Sequence, residues 1–246
     1  MFYNQKKISK GKVGISGRNN QGKITSQRRG GGNKRRYIFV DFFRSFQKQA
    51  FHVCGFSYDS SRTAFLIVLE TKLNRPTEKT RFHIVIQPKG VYLKYSINDY
   101  FNKNLDTAYI GSSYFLSAVP LGSLVYNLEA RPRGGGCFVR AAGCYGQVLQ
   151  KGLLVLVKLP SGNVIHFSGK CRCVIGVVSN ELFLLVNNIK AGKSRWLGQR
   201  PKVRGVAINP IDHPHGGGEG KAKIGRHPVT PWGKLTKGKR TKKNKL

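Results

Sequence analysis

The sequence predicts an all-β protein, built of two consecutive small barrels with an extended basic arm at each end. Between Tyr37 and Asn188, short β-type runs alternate with turn signals, and no long segment shows the period of an amphipathic helix. Both ends of the chain are rich in Lys, Arg and Gly and lack apolar periodicity. Eight or more short strands with non-helical connections are typical of small barrels.

The first element is a basic arm over residues 1–36. It is interrupted by glycines and contains the run Gly30-Gly31-Gly32. Its stretch from Gly17 to Arg36 mixes guanidinium groups, amides and bare backbone. Arginine binds phosphate oxygens bidentately, while Asn and Gln can read base edges or sugar hydroxyls. We therefore expect an RNA-binding arm, and the alternative is a solvated tail.

The body of the chain contains the predicted strands. A break near Gly111–Pro120 divides them into a first barrel at 37–117 and a second at 118–192. The clearest hairpin joins Leu153–Leu159 to Val164–Phe167 through a turn that contains Pro160 and Gly162. One short helical turn is expected near Leu182–Val186. The remaining predicted strands are Tyr37–Phe42, Ala50–Tyr58, Ala64–Leu69, Phe82–Ile86, Val125–Glu129 and Val174–Val178.

The last element is an extended basic arm over residues 193–246. Its segment Asn209–Gly220 has two prolines, and four of its last five residues are glycine, a composition that disfavours regular structure. From Trp196 onward, thirteen Lys or Arg stand against two acids, Asp212 and Glu219. A glycine-rich cationic segment without a core needs a polyanion to order it.

Net charge points to the same kind of partner. The chain carries +34 over 246 residues, with 44 Lys and Arg against 10 Asp and Glu. Residues 1–37 hold eleven basic residues and no acid, so the charge is concentrated in the two arms. Self-repulsion at such a charge opposes a compact isolated state unless a polyanion neutralises it. Nucleic acid is therefore the leading candidate, and ten phosphate contacts would give a log–log salt slope of about −9.

Other classes of protein fit the composition poorly. No apolar run approaches the roughly 18–20 residues of a spanning helix, so we expect no membrane partner. An odd number of cysteines, five, argues against a disulfide framework and favours a reducing compartment. Residues 1–10 lack the apolar centre of a signal peptide. We expect no cofactor.

Asp212-His213-Pro214-His215 is the one place where the sequence suggests chemistry. A histidine beside a carboxylate can act as a general base, and His-x-His can chelate a metal. Pro214 keeps the segment out of regular structure, and neither His227 nor Glu219 completes a familiar zinc pattern. Imidazoles also stack on bases and bind phosphates, so we expect RNA contact here. A hydrolase built on these residues is the enzyme alternative.

Two further motifs have ordinary interpretations. Gly134-Gly135-Gly136 lacks the Lys-Ser/Thr pair of a nucleotide-binding loop, so a tight barrel turn near RNA is favoured. Cys171-Arg172-Cys173 places two thiols on one face of a strand, but no second pair with zinc spacing exists. We expect these thiols to be small core or edge residues. Trp196 and Trp232 could each stack on a base or pack against the barrel surface.

Several blocks of sequence resemble the large-subunit ribosomal protein two family. They cover most of the chain from Gly17 onward and are most specific at Asn209–Gly220 and at His227–Gly233 (HPVTPWG). The other blocks are Gly17–Ile24 (GRNNQGKI), Arg29–Lys34 (RGGGNK), Val40–Phe42, Tyr58–Arg62 (YDSSR), Pro88–Gly90, Pro120–Glu129 (PLGSLVYNLE), Gly135–Gly143 (GGCFVRAAG) and Arg195–Gly205 (RWLGQRPKVRG).

The resemblance implies an OB-like barrel followed by an SH3-like barrel, with both arms threaded into large-subunit rRNA. It implies roles in subunit association, in rRNA folding and in support of the peptidyl transferase region. In the stretch Asp212–Gly220, which the resemblance places near that region, His213 is the residue of most interest. The implied partners are large-subunit rRNA, neighbouring ribosomal proteins and the small subunit at an inter-subunit contact. Because RNA performs the chemistry in that family, we predict that this chain is not an enzyme.

The chain departs from the usual pattern at particular residues. Asn33 follows the glycine triplet where histidine is usual, and Tyr126 replaces a usual histidine. Alanine is scarce while Phe, Tyr, Asn, Lys and Ile are plentiful, as in products of AT-rich organelle genomes. We therefore expect a mitochondrial ribosome, with a bacterial cytoplasm or a plastid as alternatives.

The predicted function is that of a structural, rRNA-binding constituent of the large ribosomal subunit. The alternative is a generic packaging protein for nucleic acid, which would spread its charge evenly and lack blocks that carry Asn, Gln and His. Predicted RNA contacts are Arg18, Lys23, Arg28, Arg29, Lys34, Arg35, Arg36, Arg195, Arg200, Lys202, Arg204, His213, His215, Lys221, Arg226, His227, Trp232 and Lys234.

Overall fold

The computed structural model describes residues 9–44, 50–71, 82–98, 109–220 and 224–238. Across these ranges the chain forms fourteen strands and three short helical segments, which confirms the prediction of an all-β protein. Contacts divide the chain into two compact units. Unit one comprises Met1–Val13 and Lys34–Asn188, and unit two comprises Gly14–Asn33 and Ile189–Leu246. The four-part division at 36, 117 and 192 stays a prediction.

Unit one contains a two-stranded antiparallel sheet of Ser9–Lys12 (β1) and Arg35–Ile38 (β2). Its register places Lys10 opposite Tyr37. β1 lies within the segment that the sequence predicts as an extended arm, because Ser-Lys-Gly-Lys has no apolar alternation. Backbone hydrogen bonds to β2 order it instead, and such bonds leave no mark on side-chain periodicity.

The first barrel region is an antiparallel sheet of four strands. They are Ala50–Ser57 (β3), Leu66–Thr71 (β4), Phe82–Ile86 (β5) and Ser96–Asn98 (β6), in the spatial order β5-β4-β3-β6. The predicted strands at 50–58, 64–69 and 82–86 are thereby confirmed with small shifts in their ends. β6 was not predicted, because three residues are too few to show a period.

The second barrel region is an antiparallel sheet of six strands. The clearest predicted hairpin is confirmed, since Lys158 lies opposite Val164 and the Leu159 N–H donates to Asn163 O at 2.8 Å. The first strand of this sheet, Ser113–Phe115, lies before the predicted domain boundary at 117, yet it pairs with the strands that follow that boundary. The strands are Ser113–Phe115 (β7), Leu124–Tyr126 (β8), Gly146–Gln150 (β11), Leu154–Lys158 (β12), Val164–Ser168 (β13) and Arg172–Ile175 (β14); their spatial order is β13-β12-β11-β8-β14-β7. Leu128–Glu129 (β9) and Gly136–Phe138 (β10) form a separate pair.

Buried apolar side chains form three clusters in unit one. The first cluster packs against the six-stranded sheet and includes Leu116, Leu128 and Val148. Another lies on the four-stranded sheet around Phe51 and Ile97. The third joins both sheets and is composed of Ile38, Ala64, Leu66, Val68, Ile84, Ile86, Tyr126, Val174 and Val178. The two sheets therefore share one apolar contact region.

Tyr126, at the position where the resemblance leads us to expect histidine, belongs to this shared cluster. Only 1% of the residue is exposed, and its hydroxyl donates to the carbonyl of Ile86 at 3.2 Å. A buried Tyr hydroxyl needs such a partner. The ring therefore packs in the contact between the two sheets, and the hydroxyl links β8 to β5.

The helical segments are short. Glu181–Leu185 is a 3₁₀ turn, which confirms the turn predicted near Leu182–Val186, and Gly205–Ala207 is another. Ala191–Trp196 (α1) is a six-residue α-helix that the sequence analysis did not predict. None of the helices in the described ranges has the length and apolar character needed to cross a membrane.

Candidate RNA interface

Most of the predicted RNA contacts belong to unit two. Its 78 residues contain 20 Lys and Arg and two acids. The unit joins part of the N-terminal arm to the C-terminal arm, two segments that the sequence analysis treats as separate. What holds them together is hydrogen bonding of the main chain, because the unit's described residues contribute no buried apolar cluster.

A compact loop at Gly17–Thr25 presents Arg18 and Lys23. The Asn19 side chain organises this loop, since its Oδ1 accepts from the N–H groups of Gln21 at 3.1 Å and Lys23 at 2.9 Å. Such Asx contacts favour turns over regular structure. The Arg18 guanidinium donates to Gly22 O at 2.7 Å and remains exposed. The GRNNQGKI block thus has a local structural explanation before any ligand is considered.

The glycine triplet pairs with the segment that follows α1. Gly30 N–H donates to Gly198 O at 3.2 Å, Asn33 N–H donates to Trp196 O at 3.0 Å, and Arg200 N–H donates to Arg28 O at 2.8 Å. A Cβ on Gly32 would lie 2.8 Å from both Trp196 O and the Gly198 nitrogen. Only glycine permits this approach of two backbones, and the pairing holds residues that are about 170 positions apart in sequence.

Helix α1 places Arg195 and Trp196 beside that junction. Its last turn holds the cations Lys193 and Arg195, which suits the negative end of a helix. The Lys190 ammonium lies 5.1 Å from the centroid of the Trp196 ring, and Trp196 is 53% exposed. The ring therefore carries a cation–π contact within its own unit. Arg195 is exposed, as an RNA contact requires.

The segment around His213 is a folded loop. Asp212 and His213 N–H groups donate to Asn209 O, Gly216 N–H donates to His213 O at 2.9 Å, and Gly217 N–H donates to Ile208 O at 3.2 Å. A Cβ on Gly216 would collide with the carbonyls of Ile208 and Asn209. The prolines and glycines that exclude helix and sheet thus allow a tight turn of another kind.

His213 lies inside this loop, with 8% of the residue exposed. Its Nδ1 accepts from the N–H of His215 at 3.0 Å, and the two rings lie 4.6 Å apart. A Cβ on Gly205 would lie 2.6 Å from the same Nδ1, so that glycine makes room for the ring. The sequence predicts RNA contact at His213. In the structure, the protein's own chain covers most of the surface of this residue.

His215 fastens the loop to the following hairpin. Its Nε2 accepts from the N–H of Val229 at 3.0 Å. The hairpin is closed by Thr230 N–H to Lys234 O at 2.8 Å and by Thr236 N–H to Pro228 O at 3.0 Å. Trp232 lies at its turn and is 57% exposed. The HPVTPWG block therefore forms a turn that presents an indole ring.

These contacts also bear on the metal and hydrolase alternatives. A neutral imidazole has one lone pair, and those of His213 Nδ1 and His215 Nε2 already accept backbone N–H groups. Neither nitrogen is available as a metal ligand or general base unless the loop opens. In the described part of the chain, no three His, Cys, Asp or Glu side chains converge on a possible metal position.

The other two motifs are structural in unit one. Gly136 approaches the Asn127 side chain so closely that a Cβ would overlap it. Glu129, 1% exposed, accepts from the N–H groups of Gly135 at 3.2 Å, Arg133 at 3.2 Å and Arg172 at 2.9 Å. The glycine-rich stretch thus wraps a buried carboxylate rather than a phosphate.

Cys171 and Cys173 are both buried. Burial raises the pKa of each thiol, and the charge of Glu129 adds to the rise. Thiols in this state are neutral and unreactive near neutral pH. The expectation that they are small core or edge residues agrees with their positions, since Cys173 lies in β14 within a buried apolar cluster and Cys171 is buried directly before that strand.

Most predicted RNA contacts are accessible. Arg35 and His215 are half-buried, His213 is buried, and Lys221 lies outside the described residues. Arg36 is exposed but engages its own chain, since its guanidinium donates to Ser9 Oγ at 2.7 Å and Ser9 O at 2.9 Å. The other exposed ones are Arg18, Lys23, Arg28, Arg29, Lys34, Arg195, Arg200, Lys202, Arg204, Arg226, His227, Trp232 and Lys234. Lys190 is exposed beside Trp196 and is a further accessible cation that was not among the predicted contacts.

An all-β protein whose cations are exposed on backbone-ordered loops belongs to the general class of nucleic-acid-binding proteins. Comparison with known sequences narrows this class. The RNA-binding N-terminal domain of ribosomal proteins L2 matches residues 5–97, and the L2 C-terminal domain matches residues 109–233. The chain belongs to the ribosomal protein L2 family, as the resemblance predicts.

Relatives match over almost the whole chain. A large ribosomal subunit protein uL2 from Wolbachia sp. is 43% identical, covering 97% of this chain and 84% of its own length. The uL2 protein of Rhodospirillum rubrum is 42% identical over 98% of this chain and 83% of its own length. That of Bartonella quintana is 42% identical over 99% of this chain and 86% of its own length. All three are bacterial proteins.

Proposed function

We propose that this chain is a structural constituent of the large ribosomal subunit, where it binds rRNA and performs no catalysis. One observation carries the proposal: unit two uses main-chain bonds between its two segments, and its described Lys and Arg side chains, except Lys193, are exposed. Family membership supports the same function. A unit ordered in this way presents a defined constellation of charge to a folded RNA instead of a diffuse cationic tail.

The exposed guanidinium and ammonium groups bind phosphates in this proposal. Arginine forks match phosphate oxygens, while exposed Trp232 and His227 can stack on unpaired bases. We propose the eighteen predicted residues as the contact set, with one refinement. His213 acts by holding the loop at 209–217 in shape, since most of its surface is covered by its own chain.

We propose three further features of the setting. The loop of His213 supports the peptidyl transferase region, and the assembled chain meets neighbouring ribosomal proteins and the small subunit. Its location is the mitochondrial ribosome, which the organelle-like composition supports, with bacterial cytoplasm and plastid as the alternatives. Fractionation of the source cells into organelles and cytosol, followed by mass spectrometry of each ribosome pool, tests the location.

Sucrose-gradient sedimentation tests the proposed function. The full-length chain, tagged and expressed in its source, is expected to sediment with large subunits at moderate salt and with intact ribosomes when magnesium is present. Sedimentation as a free protein under both conditions would contradict the proposal. Mass spectrometry of the same fractions identifies neighbouring proteins, and small-subunit proteins crosslinked to this chain would establish the inter-subunit contact.

A competition assay separates this function from generic packaging. Large-subunit rRNA fragments are expected to retain the purified chain in the presence of excess duplex DNA. Lys202→Gln is expected to lower the log–log salt slope by about 1, which is the loss of one phosphate contact. Lys158→Gln, on the exposed side of β12, is the matched control and should leave the slope unchanged. Equal displacement by any duplex would favour the packaging alternative.

A further inference from the structure

Unit one contains a groove of about 440 Å³ that the sequence analysis did not detect. It lies among β1, the segment Phe39–Asp41 and the start of β5. Its volume falls within the roughly 300–1,000 Å³ typical of small-ligand sites. None of the seventeen predicted RNA contacts that lie within the described residues lines it.

Backbone pairing creates this groove. The Asp41 N–H donates to Ile84 O at 2.8 Å, which sets the segment after β2 alongside β5. β1 pairs with β2, and that register brings Lys10 opposite Tyr37. The groove is lined by the cation Lys10 and the aromatic rings Phe39 and Phe82, together with Ser9, Val40, Asp41, His83 and Ile84. The Asp41 carboxylate is engaged within its own chain, since its Oδ1 accepts from the N–H groups of Phe43 at 2.9 Å and Arg44 at 3.1 Å.

The aromatic rings are accessible. Phe39 is 58% exposed and Phe82 is 42% exposed. The Lys10 ammonium lies 5.5 Å from the Phe39 ring centroid, and the Tyr37 ring meets Phe39 edge-on at 5.2 Å. Phenyl groups cannot bind phosphate, and these two rings are partly exposed on a chain of charge +34. Their chemistry favours a ligand with a flat π-surface and an adjoining negative charge.

We propose that this groove binds an unpaired RNA nucleotide, with its base against Phe39 and Phe82 and its phosphate near Lys10. Aromatic side chains beside cations on a sheet are a usual means of holding single-stranded nucleic acid. The inference rests on the proposed function and adds a base-stacking site to it. An apolar segment of a neighbouring protein is the rival occupant, and it would not require the cation.

Binding of a single-stranded 12-nucleotide RNA containing 2-aminopurine tests the groove with the full-length protein. Phe39→Ala is expected to weaken binding about tenfold and to relieve quenching of the probe, since one stacked base is lost. The log–log salt slope should stay unchanged in this variant. Phe39→Trp should restore affinity, and Lys10→Gln should lower the slope by about 0.7. Tyr145→Ala removes an exposed ring outside the groove and is the matched control.

Two results would overturn the inference. One is wild-type affinity and quenching in both Phe39→Ala and Phe82→Ala, with circular dichroism showing that each variant is folded. The other is a weakening by Tyr145→Ala equal to that of Phe39→Ala, which would mean that any exposed ring contributes.

Photocrosslinking in assembled particles distinguishes the groove from the function on which it rests. With 4-thiouridine in the rRNA, nucleotide adducts are expected on the tryptic peptides Tyr37–Arg44 and Phe82–Lys89. If the chain is present in large subunits but these peptides carry protein crosslinks and no nucleotide, the groove inference fails while the proposed function stands. Absence of the chain from large subunits contradicts the proposed function, and the oligonucleotide assay still decides the groove.

Discussion

The backbone N–H of His215 donates to Nδ1 of His213 at 3.0 Å, so two histidines that suggested chemistry are engaged with each other. A ring nitrogen that accepts an N–H offers a lone pair, so the hydrogen bond orients the His213 ring with Nδ1 toward His215. His215 in turn accepts from Val229. This chain of bonds joins the loop at 209–217 to the hairpin at 228–236, and it gives the loop a shape before RNA is bound.

Gly205→Ala tests the packing of His213. The added methyl would lie 2.6 Å from Nδ1 and must displace the ring. We expect hydrogen exchange at the His215 amide to accelerate about fivefold, because it loses an acceptor worth about 1 kcal/mol. Gly192→Ala is the control, since a Cβ there meets nothing within 4 Å and lies in helix α1. Equal exchange in the two variants would refute the packing role.

Gly31→Ala and Gly32→Ala form a matched pair for the junction between the two segments of unit two. Both glycines have positive φ, +66° and +90°, so both variants carry a similar backbone penalty of about 1 kcal/mol. Only the methyl at Gly32 meets Trp196 O and the Gly198 nitrogen, each at 2.8 Å. We expect faster amide exchange at Asn33 and weaker large-subunit association in Gly32→Ala alone. If the two variants behave alike, the positive φ angles explain the glycines, and the close approach of the two backbones does not.

Glu129→Gln tests the buried carboxylate. The carboxylate accepts three backbone N–H groups, whereas glutamine offers one oxygen and turns an NH₂ group toward donors. We expect the free energy of unfolding of unit one, measured in urea, to fall by about 2 kcal/mol. Glu181→Gln breaks an exposed ion pair with Lys89 and should cost less than about 1 kcal/mol. A loss no larger than that of the control would contradict the buried role.

The thiol of Cys173 predicts a dependence of stability on pH. Burial raises its pKa above the ordinary value of 9.0, and neighbouring Cys171 and Glu129 raise it further. Above about pH 9 the unfolded chain therefore loses this proton while the folded protein keeps it, so stability falls as pH rises. Cys173→Ala should flatten this decline in urea unfolding between about pH 8 and 10.5. Cys137→Ala, at an exposed thiol, should retain the wild-type decline.

Side-chain pattern was sufficient where a strand is long and has apolar neighbours. Ala50–Ser57, Phe82–Ile86 and the hairpin at Leu154–Ser168 follow the sequence prediction closely. It was insufficient for Ser9–Lys12, Ser96–Asn98 and Gly136–Phe138, because strands of three or four residues with few apolar side chains are defined by their partners. Helix α1 could not be predicted from the side-chain pattern either, because six residues are too few to show a helical period.

The amino-acid sequence by itself determined the all-β character, the concentration of positive charge at both ends and the family to which the chain belongs. These properties follow from composition, from the positions of charged residues and from continuous sequence motifs, so they can be read without coordinates. Tertiary structure alone decided that Arg28–Asn33 pairs with Trp196–Arg200, that His213 is buried against Gly205, and that Lys10 meets Phe39. Each of these depends on backbone bonds or close approach between residues distant in sequence or placed by an irregular turn, and such contacts leave no periodic trace in the residues that make them.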